Sequence, residues 1–440
     1  MSIDADVNRR SVLKTSAAAV AAASIAGIGP QAHAQGSDVI RIGLVGCGGR
    51  GTGAALDNLR ANDNVKIVAL GDVWEDKIKL SLESLKAEAE KLGKPEEVDV
   101  KPENMFVGFD AAYKVINHPD VDLVIHATPP GFRPDHMMAA VKADKHLFVE
   151  KPACVDPAGY RKCLEVGKLA REKKLGIVCG TLYRRTTNFV DVIDGIIKKG
   201  TLGDILCGEC FYLVGPLKHY EREAEWTDMQ FHSRNWWYQT YMSGDTLVEQ
   251  AVHNLDVANW VFGGAPKKCI ASGGRIQRTA EVYGNIYDHF SVTYEYANGQ
   301  RVDFKSRQWS GSTQAVRNHF KGTKGYADVN PGLSKVYLYE GNKRIYGKRA
   351  GYDGYQAEHK DLVDSIRAGE PIVEIEQMAD SSLTGIMGRL AAYSGQEVSF
   401  ADAQKMDLDL WITKDGAPVT KDTDVRVDPV AVPGTYKLPR

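Results

Sequence analysis

The chain has 440 residues, more than one compact core accommodates, so two domains are the expectation. Apolar residues make up 43% and charged residues 25%, the balance of a soluble globular protein. A formal net charge of −2 gives no electrostatic case for nucleic acid or an anionic membrane surface. Beyond the N-terminus no apolar run approaches the roughly 20 residues a membrane-crossing helix needs, so no permanent membrane span is expected.

In chain order, Asn8-Arg9-Arg10-Ser11-Val12-Leu13-Lys14 comes first, followed by an alanine-rich run from Ala17 to Ile28. Ala32-His33-Ala34 then offers small residues at the two positions a signal peptidase accepts. This order resembles a twin-arginine export signal with its cleavage site. Residues 1–34 are read as a signal peptide and the mature chain as beginning near Gln35. The twin-arginine export machinery is then a partner, and the destination is periplasmic or secreted. All seven cysteines follow this segment, and an odd number cannot all pair internally. Cys207 and Cys210 lie three apart in a strand-like stretch, where side chains point to opposite faces. Neither a metal site nor a structural disulfide is expected.

Asp38 to Val45 is a short β-branched apolar run that ends in a glycine cluster. Val65 to Leu70, Val121 to Ala127, His146 to Val149 and Gly176 to Gly180 are further strand candidates. Helical spacing from Lys77 to Leu92, Asp135 to Ala143 and Ala158 to Lys174 separates them. Near-continuously apolar strands alternating with helices predict a doubly wound parallel sheet over residues 35–182. After Tyr183 the pattern changes. A helix-like Val190 to Lys199 precedes a strand from Ile205 to Val214, and an aromatic-rich stretch runs from Trp226 to Tyr241. Alternating runs follow at Phe290 to Tyr296, Gln300 to Trp309, His319 to Ala327 and Lys335 to Tyr339, with Asn298-Gly299 as a hairpin turn. Late helices are read at Ala357 to Ala368 and Met378 to Ser394. Residues 183–395 thus read as an α+β domain with a mainly antiparallel open sheet. Residues 396–440 read as an extended tail that wraps the surface or a partner subunit.

Gly46-Cys47-Gly48-Gly49-Arg50-Gly51 is a G-x-G-x-x-G between a strand and a helix-compatible segment. Its glycines allow the tight turn, the approach of backbone to a pyrophosphate, and close helix–strand packing. Asp72 ends the next strand 21 residues after Gly51, where an acid accepts hydrogen bonds from ribose hydroxyls and repels a 2′-phosphate. NAD is therefore favoured over NADP, with Arg50 and Trp74 able to alter the preference. Glu150-Lys151-Pro152 closes a strand on the ligand-binding edge, and the proline keeps Lys151 extended. A lysine there can polarise a substrate hydroxyl, although the tripeptide alone fits a surface loop better. Glu249, His253 and Asp256 share one face if Thr246 to Val261 is a helix. A neutral histidine beside a carboxylate suits a general base, and the spacing fits a buried polar cluster equally.

Taken together, the glycine loop, Thr128-Pro129-Pro130, Glu150-Lys151-Pro152, Gly180 with Arg184, and Glu249/His253/Asp256 resemble the family of glucose–fructose oxidoreductase and inositol dehydrogenase (Gfo/Idh/MocA) across nearly all the mature chain. The resemblance implies that Lys151 and His253 are catalytic, with Glu249 in the place of the family's commoner Asp. It also implies a cofactor site at Gly46, Gly48, Gly49, Arg50, Gly51, Asp72, Thr128, Pro129, Glu150, Lys151 and Arg184. The implied reaction is hydride transfer between a sugar or polyol carbinol and a nicotinamide, in a homo-oligomer. Export suggests a tightly bound cofactor, because free NAD is scarce outside the cytoplasm. The alternatives are redox-neutral glycoside hydrolysis or epimerisation through transient oxidation, and a non-catalytic sugar-binding protein. Trp236, Trp237, Tyr238 and Tyr241 fit sugar stacking or domain packing, and Tyr287, Asp288 and His289 are candidates to line the cleft.

Overall fold

The computed structural model describes residues 39–351, 353–413, 417–425 and 427–439. The expected signal peptide lies outside the described residues. Apolar β-branched runs form the first sheet, with β1 (Ile40–Val45), β2 (Val65–Asp72), β3 (Met105–Val107), β4 (Leu123–His126), β5 (His146–Val149) and β6 (Ile177–Cys179). Their order is β3-β2-β1-β4-β5-β6 and every pairing is parallel. The order reverses beside β1, so the C-terminal ends of β1 and β4 flank a crevice, the place where open α/β sheets bind ligands. Helices cover both faces, which is why these strands carry apolar side chains throughout.

Local signals set the helix limits. Asp156 caps Pro157–Lys173 by accepting from the Gly159 N–H, and proline occupies the first turn. Gly93, in the left-handed conformation, ends Glu75–Leu92.

The second sheet contains β7 (Ile205–Val214), β8 (Lys268–Gly274), β9 (His289–Glu295), β10 (Arg301–Gln308), β11 (Ala315–Gly322), β12 (Gly325–Val329), β13 (Leu333–Leu338), β14 (Lys343–Arg349) and β15 (Val398–Ser399). Its order is β14-β13-β12-β11-β7-β10-β9-β8-β15. Only the β7–β10 pairing is parallel. The Asn298-Gly299 turn joins β9 to β10 as expected, with Gly299 at positive φ. One expected run, His319 to Ala327, is instead two antiparallel strands, because Thr323-Lys324 turn the chain within it. Val190 to Lys199 is also not one regular helix. Thr187–Val192 is α-helical and Ile193–Ile197 is a π-turn.

The chain returns to the first sheet after β14. Helix Asp353–Arg367 packs on Gly49–Ala61, placing Leu362 and Val363 in the core beneath β1 and β4. Helix Ile375–Ser394 is buried nearly all round, between Pro157–Lys173 and β8. The tail after Lys405 wraps the chain's own surface. Leu408 and Asp428 accept from Ala158 and Asn285, and Ala431 accepts from the Tyr287 hydroxyl. Among the described residues no helix is long and apolar enough to cross a membrane.

Gly51, in the first turn of helix Gly49–Ala61, is pressed against the end of β1. A Cβ there would sit 1.8 Å from the Gly46 carbonyl oxygen. Gly51→Ala is expected to cost about 1–3 kcal/mol of stability and to weaken nucleotide binding. Urea denaturation and fluorescence titration with NADH measure the two effects.

Candidate active site

A cleft of about 410 Å³ opens at the crevice, lined by Gly46, Gly48, Gly49, Arg50 and Gly51, by Asp72 and Trp74, and by Thr128 and Pro129. Gly46 makes the turn at φ +89°. A side chain at Gly48 or Gly49 would meet nothing within 4 Å, so backbone faces open space there. No side chain caps the N-terminus of helix Gly49–Ala61, which leaves its N–H dipole to an anionic group. Asp72 accepts from the Cys47 N–H at 2.7 Å and from the Trp74 N–H at 2.9 Å. A carboxylate retains lone pairs beyond those two bonds, available to ribose hydroxyls. This cradle fits a dinucleotide, and it fits one without a 2′-phosphate.

Side chains from the second half of the chain close the cleft. Trp74 donates to Ser233 Oγ at 3.2 Å, and the Arg234 guanidinium lies 3.7 Å from the Trp74 ring. Arg234 also donates twice to Asp76, at 2.9 and 3.2 Å. Trp236 and Trp237 line this cleft. They therefore sit at the nucleotide, whereas Tyr238 and Tyr241 are buried. Tyr287 and Asp288 do not line it either. Tyr287 is buried under the tail, and Asp288 accepts from the backbone of Ile276, Gln277 and Arg278.

Lys151 follows β5 and reaches across to Glu249, donating to its backbone oxygen at 2.5 Å and to Oε1 at 3.1 Å. The position of this turn depends on Arg133, a fully buried guanidinium. It donates to the Thr128 carbonyl at 2.9 Å and to those of Glu150 and Pro152 at 2.6 Å each. Burial lowers its pKa to about 10, still charged at neutral pH. The glycine loop is tied to the same turn by Arg50, whose Nε is 2.7 Å from Glu150 Oε1.

His253 has no hydrogen-bond partner among the described residues, and its ring lies 5.4 Å from that of Tyr183. Burial, then the charges of Lys151 and Arg50, hold its pKa well below the ordinary histidine value. It is therefore a neutral acceptor at pH 7.

The expected single helix from Thr246 to Val261 breaks. Thr246–Glu249 and Val252–Phe262 are separate helices, with Gln250 and Ala251 between them. Glu249 and Asp256 have different partners. Glu249 accepts from Lys151, and Asp256 accepts from the Arg184 guanidinium at 2.8 and 2.9 Å. Asp256 also accepts from Ser381 and Gln377. Arg184 is thus one half of an ion pair with Asp256. Thr128 and Pro129 are at the cleft as expected, and Thr128 Oγ1 lies 3.0 Å from His126 Nε2. Sequence reasoning missed Arg133, Arg234 and the helix residues Tyr355 and Glu358. The Tyr355 ring lies 4.7 Å from Arg50. Burial and then Glu150 push the Glu358 carboxyl well up. No short-range motif marks any of these four, because each acts on a partner far away in sequence.

A parallel sheet with a glycine cradle and an acid at the end of β2 define a dinucleotide-binding α/β protein. Residues 40–180 match the oxidoreductase family with the NAD-binding Rossmann fold, and residues 192–328 match the Gfo/Idh/MocA C-terminal domain. The chain belongs to the Gfo/Idh/MocA family.

It is 25% identical to a 2,7-anhydro-N-acetylneuraminate hydratase from Escherichia coli (strain K12), over 58% of this chain and 62% of that protein. It is 24% identical to a myo-inositol 2-dehydrogenase from Thermotoga maritima, over 81% of this chain and 96% of that one. A glycosyl hydrolase family 109 protein from Solibacter usitatus is 36% identical, over 52% and 51%. The chain thus spans less than two thirds of the hydratase and about half of the hydrolase. A levoglucosan dehydrogenase structure in complex with NADH and levoglucosan shares the fold, with a TM-score of 0.64 and 17% identity. That match covers 82% of this chain and 99% of the other.

Two outcomes follow. Asp256→Ala leaves the Arg184 charge without its partner and is expected to cost about 3–5 kcal/mol, read as a shift in the urea midpoint. Burial lowers His136 and His232 to about 4 and holds His126, His253 and His359 well below the ordinary value. The unfolded chain binds these protons near the ordinary pKa of about 6.5, and the folded one only at lower pH. Their contribution to stability is therefore intact above that pKa and is lost as pH falls toward 4. The melting temperature should drop steadily across that window, and a flat profile would contradict the assignment.

Proposed function

We propose that this protein oxidises a carbinol of a sugar or polyol, or reduces the matching ketone, at the Lys151–His253 centre. The observation that carries the reading is an unpartnered neutral histidine and a pinned lysine beside the nucleotide cradle. A bound nicotinamide supplies the hydride acceptor. Glycines 46, 48, 49 and 51, with Asp72, Thr128 and Pro129, would hold the nucleotide. His253 takes the proton of the reacting hydroxyl. Lys151 Nζ, oriented by Glu249, steadies the negative charge that develops on that oxygen. The buried surroundings strengthen both interactions.

The twin-arginine-type segment supports export of the folded chain to the periplasm or beyond. The Arg234–Asp76–Trp74 clasp supports a cofactor that travels with the protein and is regenerated in place. Homo-oligomer formation through the outer face of the second sheet belongs to the same proposal. Tyr326 and Tyr337 stack there at 5.0 Å, and Ile270 is exposed. A monomer mass by light scattering would remove that part. The likeness to a family 109 glycosyl hydrolase favours a second reading, in which transient oxidation permits glycoside cleavage with no net redox change.

Lys151→Met and His253→Ala are each expected to lower turnover at least a hundredfold while nucleotide content stays near that of the parent. Unchanged turnover in both would sink the assignment. Product cleavage without accumulating NADH would select the second reading. The parent should keep its nucleotide through dialysis, and Arg234→Ala should release it about tenfold faster, as a loss of about 1.4 kcal/mol implies. Complete loss from the parent would refute retention.

A further inference from the structure

Most core tyrosines have an engaged hydroxyl. Tyr160 donates to Asp380, Tyr294 to the Thr384 carbonyl, Tyr296 to Asn259 and Tyr393 to Asp245. Three half-buried tyrosines at the catalytic centre differ. Tyr183, Tyr212 and Tyr355 have no hydrogen-bond partner among the described residues. They come from three separate places, the turn Leu182–Arg184, β7 and the helix Asp353–Arg367.

Their rings are fixed. Tyr183 stacks on Phe189 at 4.3 Å with planes 4° apart, beside His253. Tyr355 lies against Arg50. Tyr212 lies on the inner side of β7, next to Phe211, whose carbonyl accepts from Asn254, the neighbour of His253. A rigid phenol with a free hydroxyl can both donate to and accept from a ligand hydroxyl at small entropic cost. Burial raises the pKa of all three, so they remain uncharged at neutral pH.

The cations around this centre are already matched. Lys151 faces Glu249 at 3.1 Å, Arg50 faces Glu150 at 2.7 Å, and Arg184 faces Asp256 at 2.8 Å. Arg185 lies 2.7 Å from both Glu374 and Asp361. Arg133 is engaged by three carbonyls, and Arg278, further out, by Gln308 and the Tyr287 carbonyl. A carboxylate or phosphate entering here would lose its water and find no free cation, an unfavourable exchange.

We propose that Tyr183, Tyr212 and Tyr355 form the recognition face for the hydroxyl groups of an uncharged polyhydroxylated substrate, and that the site discriminates against its carboxylate and phosphate analogues. This inference rests on the oxidoreductase reading above and adds the charge class of the substrate and the residues that read it. None of the three is among the residues lining the nucleotide cleft.

The test uses the full chain loaded with NAD. Turnover and KM are measured for glucose, myo-inositol and cellobiose, and for glucuronate, glucose 6-phosphate and an inositol monophosphate. A neutral member is expected to exceed its charged counterpart in kcat/KM by at least about a hundredfold, as loss of a few kcal/mol on burying an unpaired charge implies. Tyr212→Phe and Tyr355→Phe are each expected to raise KM about threefold to tenfold, the worth of one neutral hydrogen bond. The change in kcat should be smaller, with melting temperature and nucleotide content as in the parent.

A charged substrate matching or exceeding its neutral partner would overturn the inference and leave the oxidoreductase reading standing. Unaltered KM in both phenylalanine variants would overturn the assignment of the phenols. No turnover of any sugar, with nucleotide bound, would overturn the oxidoreductase reading and this inference with it.

Discussion

Arg133 places a guanidinium under the rim of the parallel sheet, where three backbone carbonyls converge on it. One belongs to the turn after β4, at Thr128, and two to the turn after β5, at Glu150 and Pro152. Those turns carry a wall of the nucleotide cleft and Lys151. A buried charge satisfied only by fixed carbonyls resists displacement, since moving any one of them leaves part of the cation unsolvated. The distance between cofactor site and lysine is thereby set by one side chain. Arg50 repeats the device on the other side, tying the glycine loop to Glu150.

From that anchor the site extends by paired charges. Lys151 is held by Glu249 from a short helix of the second half, and Arg184 by Asp256 one element further along. The Lys151–Glu249 pair crosses from the first domain to the second. Glu249 ends one short helix and Asp256 lies in the next, and each takes a separate cation. His253, lying between them, is left without a hydrogen bond and with two cations nearby, the setting of a neutral base.

The second half does more than carry the base. The segment ending in Ser233-Arg234 closes over Trp74 and Asp76 at the nucleotide end. Helix Asp353–Arg367 then returns to pack on the helix that follows the glycine loop. Residues from both halves line the nucleotide cleft.

Much of this was legible in the residues. The β-branched runs ending at Val45, His126, Val149 and Cys179, the glycine loop, Asp72 and the Glu150-Lys151-Pro152 turn reflect local rules of strand propensity, turn geometry and backbone approach. Such rules operate over a few residues and leave a mark in composition and spacing, so sequence by itself determined the parallel sheet and the nucleotide cradle. Tertiary structure alone decided the rest. It interrupted the helix at Gln250 and Ala251, paired Arg184 with Asp256, placed Trp236 and Trp237 at the nucleotide cleft, and brought Arg133, Arg234, Tyr212 and Tyr355 to their places. Each of those outcomes is a contest between partners distant in the chain, settled by burial and charge pairing once the fold has formed, and periodicity carries no record of it.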